Sequence, residues 1–237
     1  MTAPTHHKLI IIGAGMSGVA MAAKLKMSGD NNFIVIEKSP DLGGTWLDNR
    51  YPGAQCDVRS HLYSYSFARN PNWSRRYADA QEIHAYVDRC ADQFKLKPHF
   101  RFGNALVSAC WQNEQLLWLL TLDNGTSYTC EHLVCSTAPL NEPQWPNIIG
   151  LKNYQGQLLH TARWNPHFSF HAKRVAVIGT AASAVQAIPE LAQVAGTLTV
   201  YQRTPNWVVP RADKAYAGWQ KKLFSIPPVA KDRKSVV

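Results

Sequence analysis

Residues 8–18 read KLIIIGAGMSG. Lys8 leads into four consecutive aliphatic residues with no polar alternation, the pattern of a strand buried on both faces of a parallel sheet. The run feeds the turn Gly13-Ala14-Gly15-Met16-Ser17-Gly18. Residues 16–27 then carry Ala, Met and Leu on one side and Lys24 and Lys26 on the other, which predicts a helix. Residues 28–32, SGDNN, predict a turn, and residues 33–37, FIVIE, a second strand. The whole is a βαβ unit of about thirty residues, the setting in which such glycine spacing carries meaning. Gly13 allows the tight turn, Gly15 lets backbone approach a pyrophosphate, and Gly18 permits close helix–strand packing. The helix start offers N–H groups to the anion. Glu37 ends the second strand about twenty residues past the loop, where a carboxylate accepts hydrogen bonds from a ribose 2′-hydroxyl and repels a 2′-phosphate.

The same turn returns in worn form. Residues 173–184 read KRVAVIGTAASA, and residues 197–203, TLTVYQR, supply the matching second strand, ending on Arg203 with Thr204 next. A guanidinium there attracts a 2′-phosphate. Gly179 is kept and Thr180 follows it; Ala181 and Ala184 replace the second and third glycines, with Ser183 between them. The Ala181 methyl predicts looser or displaced dinucleotide binding, and a βαβ unit that binds no ligand is the competing reading. The expected fold class is therefore α/β, with two Rossmann-like dinucleotide-binding units of the FAD/NAD(P)-binding kind, the second incomplete. Two dinucleotides, one with a free ribose hydroxyl and one phosphorylated, point to FAD plus NADPH and to redox chemistry.

The bulk properties agree. The chain has 237 residues, 46% apolar, enough for a sizeable core in one large or two small domains. No apolar run reaches membrane-spanning length, since LIIIGAGMSGVAMAA is broken by glycines. MTAPTHHK lacks the pattern of a secretory leader. Five cysteines, Cys56, Cys90, Cys110, Cys130 and Cys135, form no CxxC pair and are odd in number, which predicts a reducing, cytoplasmic location and no metal site. Cys130 and Cys135 flank a predicted strand and read as core packing. The net charge is +9, but apart from the terminal KDRK the basic residues are scattered, which argues for anionic cofactors and a solvated surface over nucleic acid.

Along the chain, residues 40–66 are rich in turns (PDLGGTW, then NRYPGAQCD), and so long an irregular stretch is usually functional. Residues 78–94 predict a helix with Ile83, Tyr86, Val87 and Cys90 at helical spacing. Residues 100–135 read as strands, with a turn at Asp123-Asn124-Gly125. Pro139, Pro143 and Pro146 mark a domain boundary, giving an FAD-binding domain over 1–145 and a linker plus shortened NADPH-binding domain over 146–237. From residue 204 onward the chain reads as irregular.

Six segments occur in order: GAGMSG, GGTW (43–46), NRYPGAQCD (49–57), YSYSF (63–67), YQGQLLHTARW (154–164) and QRTPNW (202–207). Together they resemble the class B flavin monooxygenases, most closely the Baeyer–Villiger monooxygenases. The signature FxGxxxHxxxW of that group is met by Tyr154, Gly156, His160 and Trp164, with tyrosine in the first place. The resemblance implies FAD on Gly13, Gly15, Ser17 and Gly18, with its ribose on Glu37, and Gly44, Thr45, Trp46, Asp48, Asp57 and Tyr63 toward the flavin. It also implies a backbone contact from Val107 to the adenine. NADPH would use Gly179, Thr180, Ala181, Ser183 and Ala184, its 2′-phosphate on Arg203 and Thr204, with Gln55, Cys56 and Asp57 near the nicotinamide. Asp57 is the candidate catalytic group, orienting a cation beside the flavin, with a plain turn aspartate as the alternative. His160 and Trp164 would couple cofactor binding to domain position, with ordinary helix or loop packing as the alternative. In such enzymes NADPH reduces the flavin, O2 adds to it, and the peroxyflavin oxidises a ketone or sulfide.

This sequence also departs from that group. Its members are usually much longer, and their active-site arginine lies beyond the second βαβ unit, so neither Arg203 nor Arg211 inherits that role. Thr137-Ala138-Pro139 stands where the group commonly has a glycine. The expectation is a truncated chain, impaired or inactive as a monooxygenase. The alternatives are a fragment with slow NADPH oxidase activity and a nucleotide-binding module without catalysis. Incompletely covered sheet edges predict self-association.

Overall fold

A computed structural model describes residues 4–138 and 142–226. Pro139 and the terminal KDRK lie outside the described residues. The chain forms two compact units, each built from two stretches: Met1–Leu47 with His84–Asn141, and Asp48–Ile83 with Glu142–Val237.

The first unit holds a six-stranded sheet of order β3-β2-β1-β6-β5-β4. Its strands are β1 (Thr5–Ile12), β2 (Phe33–Ile36), β3 (Phe100–Arg101), β4 (Leu106–Gln112), β5 (Leu117–Leu122) and β6 (Ser127–Cys135). β1 lies between β2 and β6, parallel to both, and β2 is parallel to β3. β6, β5 and β4 form an antiparallel meander. Its turn at residues 123–125 is closed by Gly125 N–H donating to Leu122 O at 3.0 Å, with Gly125 at φ +81°. One face of the sheet packs Ile10, Ile12, Ile34 and Ile36 with Leu120, Leu122 and Cys130. Alternate residues Ile11 and Val35 are equally buried, as period-2 alternation requires of a sheet covered on both sides. Each buried aliphatic side chain contributes about 1.5–3 kcal/mol. Helix α1 (Met16–Met27) buries Gly18, Val19, Ala22 and Ala23, one stripe at helical spacing.

One short helix interrupts the stretch read as irregular, and a long one follows it. Helix α2 (Thr45–Asp48) is a single turn within residues 40–66. Helix α3 (Ala80–Gln93) buries Ile83, Tyr86, Val87, Cys90 and Ala91. Asp79 caps it, its Oδ1 accepting from the Glu82 N–H at 2.7 Å, which is why the helix begins two residues later than the sequence suggests.

The second unit contains β7 (Arg174–Ile178), α4 (Ala182–Val194) and β8 (Thr197–Tyr201), with β7 and β8 parallel in a two-stranded ladder. α4 buries only Ala187 and Leu191 and carries Pro189 inside it. The region after residue 204 is not wholly irregular: α5 (Gly218–Ser225) forms a helix. It seats Phe224 on His61, ring centroids 4.0 Å apart, and on Tyr216 at 5.1 Å. Of its apolar residues only Phe224 is buried, while Trp219 and Leu223 are exposed, so no core-facing stripe marks this helix in the sequence.

Candidate functional site

The first glycine loop is shaped by contacts that only glycine permits. Gly13 sits at φ +101°, and a Cβ there would lie 2.9 Å from the Ser136 carbonyl oxygen. A Cβ on Gly18 would land on the Gly13 carbonyl. Gly13 N–H donates to Ile36 O at 2.8 Å, tying the turn to the end of β2. Gly15 is the N-cap of α1 at φ −72°, ψ −173°; it makes no side-chain cap bond, and the first turn holds no acidic residue. That end of the helix therefore presents a positive partial charge suited to an anion. The Gly43-Gly44 turn lies against this loop. Gly43 N–H donates to Ala14 O at 2.9 Å, and a Cβ on Gly44 would stand 3.0 Å from Gly15 Cα. Ser17 is exposed on the first turn of α1, and Thr45 and Trp46 follow Gly44 as the start of α2.

Glu37 is 7% exposed although ionisable. Its Oε2 accepts from Ala14 N–H at 2.7 Å and its Oε1 from Ser39 N–H at 2.8 Å. The carboxylate is thus locked to the glycine loop, with lone pairs still able to accept from hydroxyl donors. Val107 is the bulged residue of β4: Leu106 pairs with Leu122 and Ser108 with Thr121, so Val107 falls out of register and is 67% exposed.

The second loop repeats the geometry. Gly179 has φ +96°, and its N–H donates to Tyr201 O at 2.9 Å. Ala181 caps α4 at φ −74°, ψ −176°, within a few degrees of Gly15, again without a side-chain cap bond or a first-turn acid. The methyl of Ala181 therefore leaves the loop's backbone undistorted. Ala184 carries the Cβ that Gly18 cannot. β8 ends at Tyr201, so the seat that Glu37 holds beside the first loop belongs to Gln202, and Arg203 comes one residue later, exposed with Thr204. Gln202 Nε2 donates to Thr180 Oγ1 at 3.0 Å; Asn206 Nδ2 donates to Thr180 O at 2.6 Å and to its Oγ1 at 3.2 Å. Ser183 and Ala184 are half-buried in the first turn of α4.

The segment NRYPGAQCD packs on α4 within the same unit. Gly53, at φ +77°, would place a Cβ 2.6 Å from the Gln186 backbone oxygen. Gln186 Oε1 accepts from Tyr51 OH at 2.9 Å and Gln55 N–H at 3.2 Å, while its Nε2 donates to Gln55 O at 2.9 Å. Arg211 donates to the Gln55 side chain and to Cys56 O at 3.4 Å, and lies 4.9 Å above the Tyr77 ring. Burial pushes the Cys56 thiol's pKa up, keeping it protonated near neutrality. Asp57 is exposed and Tyr63 half-buried. Asp48 lies 3.8 Å from the Arg163 guanidinium.

The signature residues occupy a loop, not a helix. Tyr154 lays its ring over Gly156, where any Cβ would collide with it. His160 Nδ1 accepts from Ala162 N–H at 3.1 Å and its ring meets Trp145 edge-on at 5.4 Å. Trp164 stacks on Phe170 at 5.1 Å. His160 and Trp164, four apart in sequence, thus face different partners. Cys130 is buried inside β6, its pKa pushed up to about 11 by that burial, whereas Cys135 ends the strand exposed. Core packing accounts for the first of these cysteines and not for the second. Among the described residues no group of His, Cys, Asp and Glu could hold a metal ion, and no helix is long and apolar enough to cross a membrane.

Residues 10–222 match the family model of the pyridine nucleotide-disulphide oxidoreductases. The chain belongs to that family. Within it, the chain is 41% identical over 233 residues to a Baeyer–Villiger monooxygenase of Streptomyces coelicolor, covering 98% of this chain and 45% of the relative. It superposes on cyclohexanone monooxygenase from Rhodococcus sp. Phi1 bound to NADP+ with a TM-score of 0.89 at 34% identity, over 94% of this chain and 43% of that one. OTEMO in complex with FAD and NADP gives a TM-score of 0.86 at 35% identity, over 94% and 43%. The chain thus corresponds to an N-terminal portion of Baeyer–Villiger monooxygenase-like proteins and spans under half their length. The mixed six-stranded sheet and the two glycine-turn βαβ units, the second in its own two-stranded ladder, match the dinucleotide-binding fold expected of this oxidoreductase family. Sequence reasoning missed Gln186, Gln202, Asn206 and Arg211 as residues that shape the site. Gln202 alone carried a signal, its place after the second strand.

Proposed function

We propose that this chain supplies the two nucleotide-binding frameworks of an FAD- and NADPH-dependent monooxygenase of the Baeyer–Villiger type, acting with O2 on a small ketone or sulfide. The observation that carries this reading is the paired geometry: two loops with near-identical cap dihedrals and strand-end hydrogen bonds, one beside a carboxylate and one beside an amide and an arginine. The residues fit both groups. Uncapped helix starts and glycine turns accept pyrophosphates, and Glu37 retains acceptor capacity for ribose hydroxyls.

Gly13, Gly15, Ser17, Gly18 and Glu37 would hold FAD, with Gly44, Thr45, Trp46, Asp48, Asp57, Tyr63 and the Val107 bulge as further contacts. Gly179, Thr180, Ala181, Ser183 and Ala184 would hold NADPH, with Arg203 and Thr204 on its 2′-phosphate and Gln55 and Cys56 toward its nicotinamide. When bound, the two cofactors supply hydride transfer and oxygen activation. The chain's own contribution is to orient them: Gln186 and Arg211 fix Gln55, and Asp57 offers an exposed carboxylate. Tyr154, Gly156, His160 and Trp164 would report cofactor binding to the rest of the second unit. The free thiols favour a reducing, cytoplasmic setting.

A second reading, a cofactor-binding portion with at most slow NADPH oxidase activity, asks only for the two glycine loops and their anchors. Both are tested on the purified chain by flavin absorbance, NADPH consumption, peroxide release and product analysis. Retained flavin with ester or sulfoxide formation supports the first reading. Retained flavin with peroxide matching NADPH consumed supports the second. A colourless protein that binds neither cofactor overturns both.

A further inference from the structure

We propose that Gln202 is the residue that sets the second site's choice between a phosphorylated and an unphosphorylated ribose; this rests on the reading that the second loop takes NADPH. The molecule carries its own internal standard. In the first unit, Gly13 N–H bonds Ile36 O, and the next residue, Glu37, reaches back to Ala14 N–H. In the second, Gly179 N–H bonds Tyr201 O, and the next residue, Gln202, reaches back to Thr180 Oγ1. Ala14 and Thr180 each follow the first glycine of their loop, so the two side chains hold equivalent positions, Glu37 buried on the Ala14 backbone N–H and Gln202 exposed on the Thr180 hydroxyl.

Their chemistry differs in charge. Glu37 places a full negative charge at the seat and can only accept hydrogen bonds, which suits ribose hydroxyls and excludes a phosphate. Gln202 is neutral, and its amide donates to Thr180 Oγ1, while Asn206 binds the same residue from a second direction. Two amides therefore secure the loop without any carboxylate. The exposed Arg203, one residue on, is left as the nearest charge on this strand end. Arg203 attracts the phosphate; Gln202 keeps the seat free of the charge that would cancel that attraction.

Gln202→Glu isolates this role. A hydroxyl both donates and accepts, so Thr180 can turn its proton toward the new carboxylate and the anchor survives while the charge changes. Gln202→Ala removes the anchor and adds no charge. Binding of NADP+, NAD+ and 2′,5′-ADP is measured by calorimetry on the full 237-residue chain, with thermal melts to confirm folding. Gln202→Glu is expected to weaken NADP+ and 2′,5′-ADP by at least about tenfold, as a like charge near the phosphate requires, and to leave NAD+ unchanged or tighter. Gln202→Ala is expected to weaken NADP+ and NAD+ by similar factors. Equal loss of NADP+ and NAD+ in the glutamate variant, or no change in either, overturns the proposal while the NADPH reading stands. A wild-type chain that binds none of the three ligands overturns both.

Discussion

The two βαβ units share a backbone and little else. Their caps agree within a few degrees, and each first glycine donates to the last residue of its second strand at 2.8 and 2.9 Å. Yet β1 and β2 end in buried isoleucines, while in the second ladder Ile178 is 57% and Tyr201 59% exposed. The strand–glycine–helix turn is therefore a local solution, reached whether or not the flanking sheet is covered. What differs is how strongly each copy is held and which side chains stand beside it.

The largest separation between the copies is expected from glycine replacement. Gly18→Val drives a side chain into the Gly13 carbonyl and should cost about 3 kcal/mol or more, with loss of bound flavin. Ala184→Gly at the equivalent place should cost about 1 kcal/mol or less. Chemical denaturation of the two variants checks the contrast, and equal losses would break it. A similar gap is expected in the cores: Ile10→Ala about 2–5 kcal/mol, and Val200→Ala, at a position already 38% exposed, under about 1 kcal/mol.

Glu37→Arg removes the acceptor of two backbone N–H groups at a buried seat and should cost about 2 kcal/mol, with flavin retention falling in step. Unchanged flavin content would show that Glu37 faces no ribose. Arg211→Ala is expected to lower stability by about 1 kcal/mol and to weaken nicotinamide-bearing ligands more than 2′,5′-ADP, which lacks that ring; calorimetry reads the difference. The smallest shift concerns the thiols. Exposed Cys110 and Cys135 should react with a thiol reagent at mildly alkaline pH, while Cys130 is spared. Because burial raises the Cys130 pKa to about 11 from an ordinary 9.0, its contribution to stability is full below pH 9 and is lost as pH climbs through 11. Modification of Cys130 at the rate of Cys135 in the native protein would contradict its burial.

Features written in consecutive residues were legible beforehand. α1 runs over the predicted residues 16–27, the buried face of α3 is the one its spacing shows, and the turn at Asp123-Asn124-Gly125 closes its hairpin. The monooxygenase relationship was legible too, because six ordered segments are hard to meet by chance. Other features depend on distant pairing. Gln55 and Gln186 meet across 131 positions, and no local pattern marks either as a partner. Arg203 drew attention by its charge, whereas β8 ends at Tyr201, bonded by Gly179, so that Gln202 follows the strand as Glu37 follows β2. The Val107 bulge is a register slip between two strands and leaves no mark in either alone. The Ala181 methyl predicts looser dinucleotide binding; at φ −74° that residue has no need of glycine's freedom, so the methyl acts on the ligand's space and not on the loop's backbone.

The bare backbone of Gly53 has a mechanical consequence. With no side chain between loop and helix, the turn before Gln55 is seated flush on α4 at the Gln186 carbonyl, and the paired amides of Gln55 and Gln186 rivet it there. A shift of α4 along its axis would break these bonds unless Gln55 follows it. The helix that begins at Ala181 is thereby latched to this turn, so the first turn of α4 and residues 55 and 56 share one mechanical neighbourhood.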